Sequence, residues 1–184
     1  MFFAASPRDI EPSNAARLAI RAQGKARIVA VTVDADNDLI DRLTGTLRPD
    51  LIQLHGRETP ARVREIAARS GALTIKVIAV ADAADLAAAA VYEGVADHLM
   101  FDAKLPANAS RPGGMGHAFD WSVLSGQRFA RPWFLAGGLD PWNVAAAVAA
   151  SGAPIVDVSS GVERGPGLKD PVLIEAFLEA VRRA

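Results

Sequence analysis

The chain of 184 residues contains no cysteine, which excludes disulfide bonds, thiolate metal sites and a cysteine nucleophile. An excess of positive charge is missing too: 20 Lys and Arg residues stand against 21 Asp and Glu residues, for a net charge of -1. A protein that holds nucleic acid by its phosphates needs such an excess. The expected ligands are therefore small molecules.

Long apolar runs and targeting segments are also lacking. No stretch approaches the roughly 20 apolar residues that span a bilayer, and the first ten residues lack the basic segment and cleavage site of a signal peptide. We therefore expect a cytoplasmic protein. The length suits one domain with a proper core, so residues 1–184 are expected to form a single domain.

What the sequence does contain is a regular alternation of β-branched runs with alanine-rich segments of helical period. This pattern predicts a parallel sheet with crossover helices. The first four runs begin at positions 28, 51, 75 and 98, and such even spacing is typical of a repeating β/α unit. The runs cover residues 28–33, 51–54, 75–80, 98–101, 133–136 and 155–158.

Capping residues mark three of the intervening helices. Asp82, Asp140 and Asp170 each precede a helical segment. Pro141 and Pro171 follow the last two and are predicted to be first helical residues.

The last helix carries an apolar stripe in its sequence. Ile174, Leu178 and Val181 recur at i, i+4 and i+7, so we predict that they form its buried face.

The number of elements indicates the architecture. With "FFAA" at the N-terminus counted as a partial strand, there are seven strands and about seven helices. A closed barrel of the (β/α)₈ type has eight of each. The prediction is therefore an α/β chain, a (β/α)₈ TIM barrel that lacks the first β/α unit and part of the second strand.

Two glycine-containing loops predict a phosphate site. In such barrels the site lies at the carboxyl ends of the strands, and phosphate is usually bound after the last two strands. Gly137 and Gly138 follow one of these runs, and Ser160 and Gly161 follow the other. Their backbone N–H groups and the serine hydroxyl could face one anion. For either loop alone, a tight turn without a ligand is the alternative.

Three titratable side chains stand at predicted strand ends. Asp102 ends an apolar strand, and an acid in such surroundings holds its proton to a higher pH, as a general acid requires. A turn or cap role is the alternative. Asp157, inside "IVDVSS", is a further candidate acid or base, but it could equally be a satisfied polar residue inside the barrel. A lone His in the place of His55 is more often structural than catalytic.

Arg8 follows the opening strand and is expected to point into the mouth of the barrel. There its guanidinium could bind a carboxylate through two parallel hydrogen bonds. The alternative is a surface salt bridge with Asp9 or Glu11.

A long loop follows Asp102 and contains Gly113, Gly114 and Gly116. Loops of this length inside compact domains are usually lids or disordered segments, so we expect a lid here.

Two candidate metal-binding patterns in the sequence are incomplete. The segment "DADND" at residues 34–38 begins like a calcium loop but lacks the required Gly and Glu, and the histidines at 55, 98 and 117 have no ligand spacing. No metal and no cofactor are expected.

Several stretches, in this order, resemble phosphoribosylanthranilate isomerase, a family of small barrel enzymes of tryptophan biosynthesis. Together they cover nearly the whole chain and are highly specific. The stretches are "SPRDI", "LIQLHGRETP", "FDAKLP", "RPGGMGHAFDW", "FLAGGLDPWNV" and "VDVSSGVERGPGLKDP".

The resemblance implies a cofactor-independent Amadori rearrangement of N-(5-phosphoribosyl)anthranilate to 1-(2-carboxyphenylamino)-1-deoxyribulose 5-phosphate. A general acid protonates the furanose ring oxygen, and a general base removes the proton from C2. By the matching motifs, Asp102 is the acid and Arg8 binds the anthranilate carboxylate. Gln53, His55 and Asp157 are implied to bind substrate, and the two loops described above are implied to hold the phosphate.

The resemblance has one gap. The family's general base is a Cys in a "CG" motif at the end of the first strand, and this chain contains no Cys. Besides an active isomerase, two interpretations stay open: a catalytically impaired barrel that binds a phosphate ligand, and a fragment that needs a partner segment. A homodimer is a further arrangement that the sequence leaves open.

Overall fold

Six parallel strands form one sheet in the computed structural model, which describes residues 1–104 and 118–184. The strands of this sheet are β1 (Val29–Thr32), β2 (Leu51–Leu54), β3 (Leu73–Val80), β4 (His98–Ala103), β5 (Trp133–Leu135) and β6 (Ile155–Val156). The short strands β7 (Glu163–Gly165) and β8 (Leu168–Lys169) form a separate antiparallel hairpin.

Helices connect the strands. The α-helices are α1 (Pro12–Ala19), α2 (Asn37–Thr46), α3 (Pro60–Ser70), α4 (Ala88–Tyr92), α5 (Val144–Ser151) and α6 (Pro171–Arg183). Short 3₁₀ helices cover Ile20–Ala22, Ala83–Ala87, Trp121–Leu124 and Ser160–Val162.

Each strand of the sheet pairs in parallel with the next one along the chain, from β1 to β6. This order is that of a repeating β/α unit and confirms the prediction from the spacing. All four residues of β2 are buried, as expected for a parallel strand covered on both faces.

The first residues contribute a bridge instead of a strand. The Phe2 N–H donates to the Val31 carbonyl at 2.8 Å, and Phe2 forms a parallel bridge with Thr32 beside β1. A turn closed by the bond from the Ser6 N–H to the Phe3 carbonyl follows at once. The predicted partial strand at "FFAA" is therefore shortened to one bridge, because the chain turns away from the sheet.

Apolar side chains cover both faces of the curled sheet. The smaller cluster lies on one face and joins β2 to β5. The larger cluster lies between the other face and the helices, where full burial stabilises each large side chain by about 1.5–3 kcal/mol. The smaller cluster contains Leu51, Ile75, Val77, Met100 and Ala136, with Phe134 against it.

Two of the three predicted helix caps are confirmed, and the third is displaced. The Asp170 carboxylate accepts from the Val172 N–H at the start of α6, and Asp82 caps the 3₁₀ helix that leads into α4. Helix α5 instead begins at Val144, so the prediction that it starts at Pro141 is wrong. The residues between Asp140 and Val144 form a turn.

The buried face of α6 differs from the predicted stripe. Phe177 is the buried residue of this helix, and Leu173 and Val181 pack beside it. Ile174 and Leu178 are 37% and 48% exposed, so their predicted burial is wrong: the face that packs on the core has the spacing i, i+4 and i+8. Within residues 1–104 and 118–184, no helix has the length and apolar character needed to cross a membrane.

Candidate active site

The carboxyl edge of the sheet gathers the predicted polar residues, because parallel strands all end at the same edge. Gln53 lies in β2, and His55 follows that strand; Asp102 lies in β4, and Asp157 follows β6. Gln53 and His55 lie two and four residues after Leu51, and Asp102 lies two residues after Met100. Residues two apart in a strand share a face, so these side chains lie on the face of the smaller apolar cluster.

A chain of polar contacts joins three of these side chains. His55 Nε2 lies 3.2 Å from Asp102 Oδ2, and its Nδ1 lies 3.2 Å from Gln53 Oε1. The other oxygen of Asp102 accepts from the Ala103 N–H at 2.8 Å. Gln53 is buried, whereas the side chains of His55 and Asp102 are both 14% exposed. The carboxylate is thus oriented from both sides and remains accessible.

Asp157 completes the group. Burial, followed by the negative charge of Asp102, raises the pKa of the Asp157 carboxyl to about 6. Its backbone N–H donates to the Leu135 carbonyl at 2.8 Å, which holds the residue beside the end of β5. A carboxyl with this pKa exchanges its proton close to neutral pH.

The loop after β5 lies directly on Asp102. Gly137 has φ +88°, and a Cβ built on it would lie 2.5 Å from the Ala103 nitrogen and 2.9 Å from Asp102 Oδ1. A side chain at this position would collide with the candidate acid.

The loop after β6 lies in turn on the loop after β5. A Cβ on Gly161 would lie 2.0 Å from the Leu139 carbonyl oxygen. In the described part of the chain, the N–H groups of Gly137 and Gly138 have no hydrogen-bond partner. Ser160 and Gly161 begin a 3₁₀ helix, where the first N–H groups have no partner within the helix. The structure therefore brings the two predicted phosphate loops together, with four donors near their contact.

Arg8 forms an ion pair that the sequence did not indicate. Its Nε and Nη2 donate to the two carboxylate oxygens of Glu163 at 2.8 and 2.6 Å, and neither Asp9 nor Glu11 is the partner. The bidentate pair, with a second cation at Lys169, lowers the pKa of Glu163 to about 2, against the effect of burial. Glu163 stands two residues after Gly161 in the signature "SSGVERGPG", which was the available signal.

A second ion pair, which is fully buried, supports the loop that follows His55. Lys76 Nζ lies 2.7 Å from Glu58 Oε2 and donates to the Leu54 and Gly56 carbonyls at 3.1 and 2.7 Å. Glu58 in turn accepts from the Gly56 N–H. Sequence reasoning missed this pair, although a lone Lys in the apolar strand "LTIKVIAV" is an informative exception.

The predicted lid residues Gly113, Gly114 and Gly116 lie outside the described residues. Among the described residues, no group of three His, Asp or Glu side chains has the arrangement of a metal site.

Comparison with known proteins identifies a family that matches nearly the whole chain. A sequence profile described as N-(5'-phosphoribosyl)anthranilate (PRA) isomerase matches residues 1–180. The N-(5'-phosphoribosyl)anthranilate isomerase of Caulobacter sp. (strain K31) is 63% identical over 184 residues, which are 100% of this chain and 86% of the relative.

Solved structures agree. A crystal structure of phosphoribosyl anthranilate isomerase from Thermotoga maritima has a TM-score of 0.86 and 32% identity, over 100% of this chain and 86% of that one. A second isomerase structure, in complex with reduced 1-(o-carboxyphenylamino)-1-deoxyribulose 5-phosphate, has a TM-score of 0.83 and 31% identity, over 100% and 85%. The chain therefore belongs to the N-(5'-phosphoribosyl)anthranilate isomerase family.

Proposed function

We propose that this chain isomerises N-(5'-phosphoribosyl)anthranilate at the carboxyl edge of its sheet, in tryptophan biosynthesis, with Asp102 as the general acid. The observation that carries the proposal is the contact of Gly137 with Asp102. It puts the candidate acid beside the loop whose N–H groups, unpartnered among the described residues, suit the substrate phosphate.

The acid step needs one proton at the furanose ring oxygen. Protonated Asp102 donates it as the ring opens, and His55, 3.2 Å away, holds the carboxyl in place. The pKa of about 6 at Asp157 lets this neighbouring carboxyl exchange its own proton near neutral pH. Gln53 orients the imidazole from its other side.

The two ends of the substrate meet different donors. The phosphate is bound by the N–H groups of Gly137, Gly138, Ser160 and Gly161 and by the Ser160 hydroxyl. The anthranilate carboxylate is bound by the guanidinium of Arg8, which stays 18% exposed beside Glu163.

The base that takes the C2 proton has no candidate of the family's type, since the chain has no Cys. A catalytically impaired barrel that still binds the phosphate ligand, or a fragment that requires a partner segment, is therefore the second candidate. A missing proton-transfer partner costs about 10² to 10⁴ in rate.

We also propose that Phe2 and β1 to β6 occupy the second to eighth strand positions of an eight-stranded barrel. The parallel bridge at Phe2 and the 86% coverage of the Caulobacter relative support this. Ile174 and Leu178 on α6, and Ile20 after α1, are exposed, as expected beside the place of a further helix. A cytoplasmic location and a homodimer stay predictions.

The catalytic proposal is tested by turnover of phosphoribosylanthranilate, which is measured as the loss of its fluorescence. Asp102→Asn should lower kcat by about 10² to 10⁴ while binding of the reduced product analogue persists. Asp97→Asn is the matched control. Asp97 immediately precedes β4, at the end of the strand opposite to Asp102, and its carboxylate accepts from the Thr74 N–H. Its kcat should stay at the level of the unaltered chain.

Two results would contradict the proposal. Equal rates for the Asp102→Asn variant and the unaltered chain would remove Asp102 from the acid role. Tight binding of the analogue without any turnover by the unaltered chain would favour the impaired barrel or the fragment.

A further inference from the structure

A four-residue network links the Arg8 loop to the loop at Ser159. Glu163 and Lys169 face each other across the hairpin of β7 and β8, with Lys169 Nζ 3.0 Å from Glu163 Oε1. Lys169 also donates to the Ser159 carbonyl at 2.6 Å. The hairpin thus connects Arg8, which is proposed to bind the substrate carboxylate, with the phosphate loop. These two parts of the chain are about 150 residues apart.

The turn of the hairpin packs against the Arg8 loop. Gly167 has φ +80°, and a Cβ on it would lie 3.0 Å from the Pro7 carbonyl oxygen. Its N–H donates to Glu163 Oε2 at 3.3 Å. Together with Arg8 and Lys169, this gives the Glu163 carboxylate four donors on two oxygens, with only 4% of its side chain exposed.

The way in which Glu163 binds Arg8 leaves part of the guanidinium available. A guanidinium has five N–H donors, and Glu163 uses one on Nε and one on Nη2. Both N–H groups of Nη1 and the second one of Nη2 have no partner in residues 1–104 and 118–184. They form a second two-pronged edge that suits another carboxylate.

We infer that Glu163 is a positioning residue that orients the free edge of Arg8 toward the substrate carboxylate. The inference rests on the proposed role of Arg8. With Glu163 present, the planar guanidinium is held in one orientation and its remaining N–H groups are displayed before the substrate arrives. Less orientational freedom is then lost on binding.

The opposite role is competition. A carboxylate that occupied the only usable edge of Arg8 would have to leave before substrate bound, and its removal would strengthen binding. The two roles therefore predict affinity changes of opposite sign.

Calorimetric titration with two probes separates them. The first probe is reduced 1-(o-carboxyphenylamino)-1-deoxyribulose 5-phosphate, and the second is the same molecule with a phenyl ring that lacks the carboxylate. The unaltered chain should bind the first probe roughly tenfold or more tightly than the second, since a charged hydrogen-bonded pair contributes at this level. Glu163→Gln should bring that ratio close to one, while affinity for the phenyl probe changes less than about threefold.

The matched control is Asp41→Asn. Asp41 and Arg69 form a bidentate carboxylate–guanidinium pair of the same type on the exposed surface. This variant should leave both affinities unchanged. If Glu163→Gln does not fold, Glu163→Asp replaces it, because the carboxylate shortened by one methylene keeps its charge and still misorients Arg8.

Arg8→Met separates the inference from the proposed function. If Arg8→Met leaves the probe ratio unchanged, Arg8 does not bind the carboxylate and that part of the proposed function fails. If Arg8→Met abolishes the ratio and Glu163→Gln preserves it, only the positioning role is overturned. Tighter binding of the carboxylate probe by Glu163→Gln would overturn it in favour of competition.

Discussion

His55 and Asp102 face each other across the carboxyl edge of the sheet, with His55 Nε2 3.2 Å from Asp102 Oδ2. The two residues come from β-strand ends that are not neighbours in the sheet, since β3 lies between β2 and β4. Their contact therefore depends on the curl of the sheet, which brings side chains of the same face together.

Removal of the imidazole should impair the chemical step more than binding. His55→Asn shortens the side chain and leaves the outer oxygen of Asp102 without its partner. We expect kcat to fall about 10- to 100-fold, the factor found when the hydrogen-bonded partners of metal ligands are removed. Steady-state kinetics checks this. A rise in KM with unchanged kcat would instead make His55 a substrate ligand.

The contact between the two glycine loops predicts a binding defect. Gly161→Ala puts a methyl group 2.0 Å from the Leu139 carbonyl oxygen, and the backbone there must move. Overpacking of this kind costs about 1–3 kcal/mol in stability unless the loop shifts. A shifted loop misplaces its N–H donors, so affinity for the reduced product analogue should fall. Gly45→Ala is the control, because nothing lies within 4 Å of its Cβ position. Equal affinity for both variants would argue against a phosphate site between the loops.

Loss of the buried Lys76 charge should destabilise the protein. Lys76→Met leaves the buried Glu58 carboxylate without its cation, at a cost of about 3–5 kcal/mol in unfolding free energy. Urea denaturation measures it, with Arg69→Met as the control. Arg69 forms an exposed pair that solvent screens, so its loss should change the free energy of unfolding far less than the loss of Lys76. The double variant Lys76→Met with Glu58→Gln should recover part of the loss; equal losses in the single and double variants would rule out the pair as the cause.

Asp157 makes stability depend on pH in a definite direction. Its pKa is about 6 in the folded protein and 3.8 as a reference, so its favourable contribution is complete below pH 3.8 and is lost as the pH rises through 6. Asp157→Asn should therefore stabilise the fold at pH 7, by about 3 kcal/mol at most, and have little effect at pH 3.5. Urea unfolding at both pH values checks this. An equal difference at both would show that the charge is not responsible.

Local pattern predicted the elements well and their packing less well. The strand at residues 51–54 matches β2, and the cap at Asp170 begins α6, because both depend on residues adjacent in sequence. The face that α6 buries was predicted wrongly at Ile174 and Leu178. Several apolar stripes can be drawn on that helix, and only its neighbours decide which one is covered.

The site shows the same division. That Asp102, His55 and the glycine loops stand at strand ends follows from the sequence, since parallel strands place their carboxyl ends together. The partner of Arg8 could not be found in this way. Glu163 is 155 residues away along the chain, and both Asp9 and Glu11 were closer candidates.

By itself the sequence determined the type of unit, the order of the strands and the side chains that reach the carboxyl edge, because hydrophobic period, capping chemistry and turn glycines act over a few residues. Only the tertiary structure decided which groups meet: His55 with Asp102, the loop of Gly161 with that of Leu139, and Arg8 with Glu163. Such pairs form only where the curl of the sheet brings residues together that are far apart in the chain. Burial and these neighbours then raise or lower the energy of each charged group.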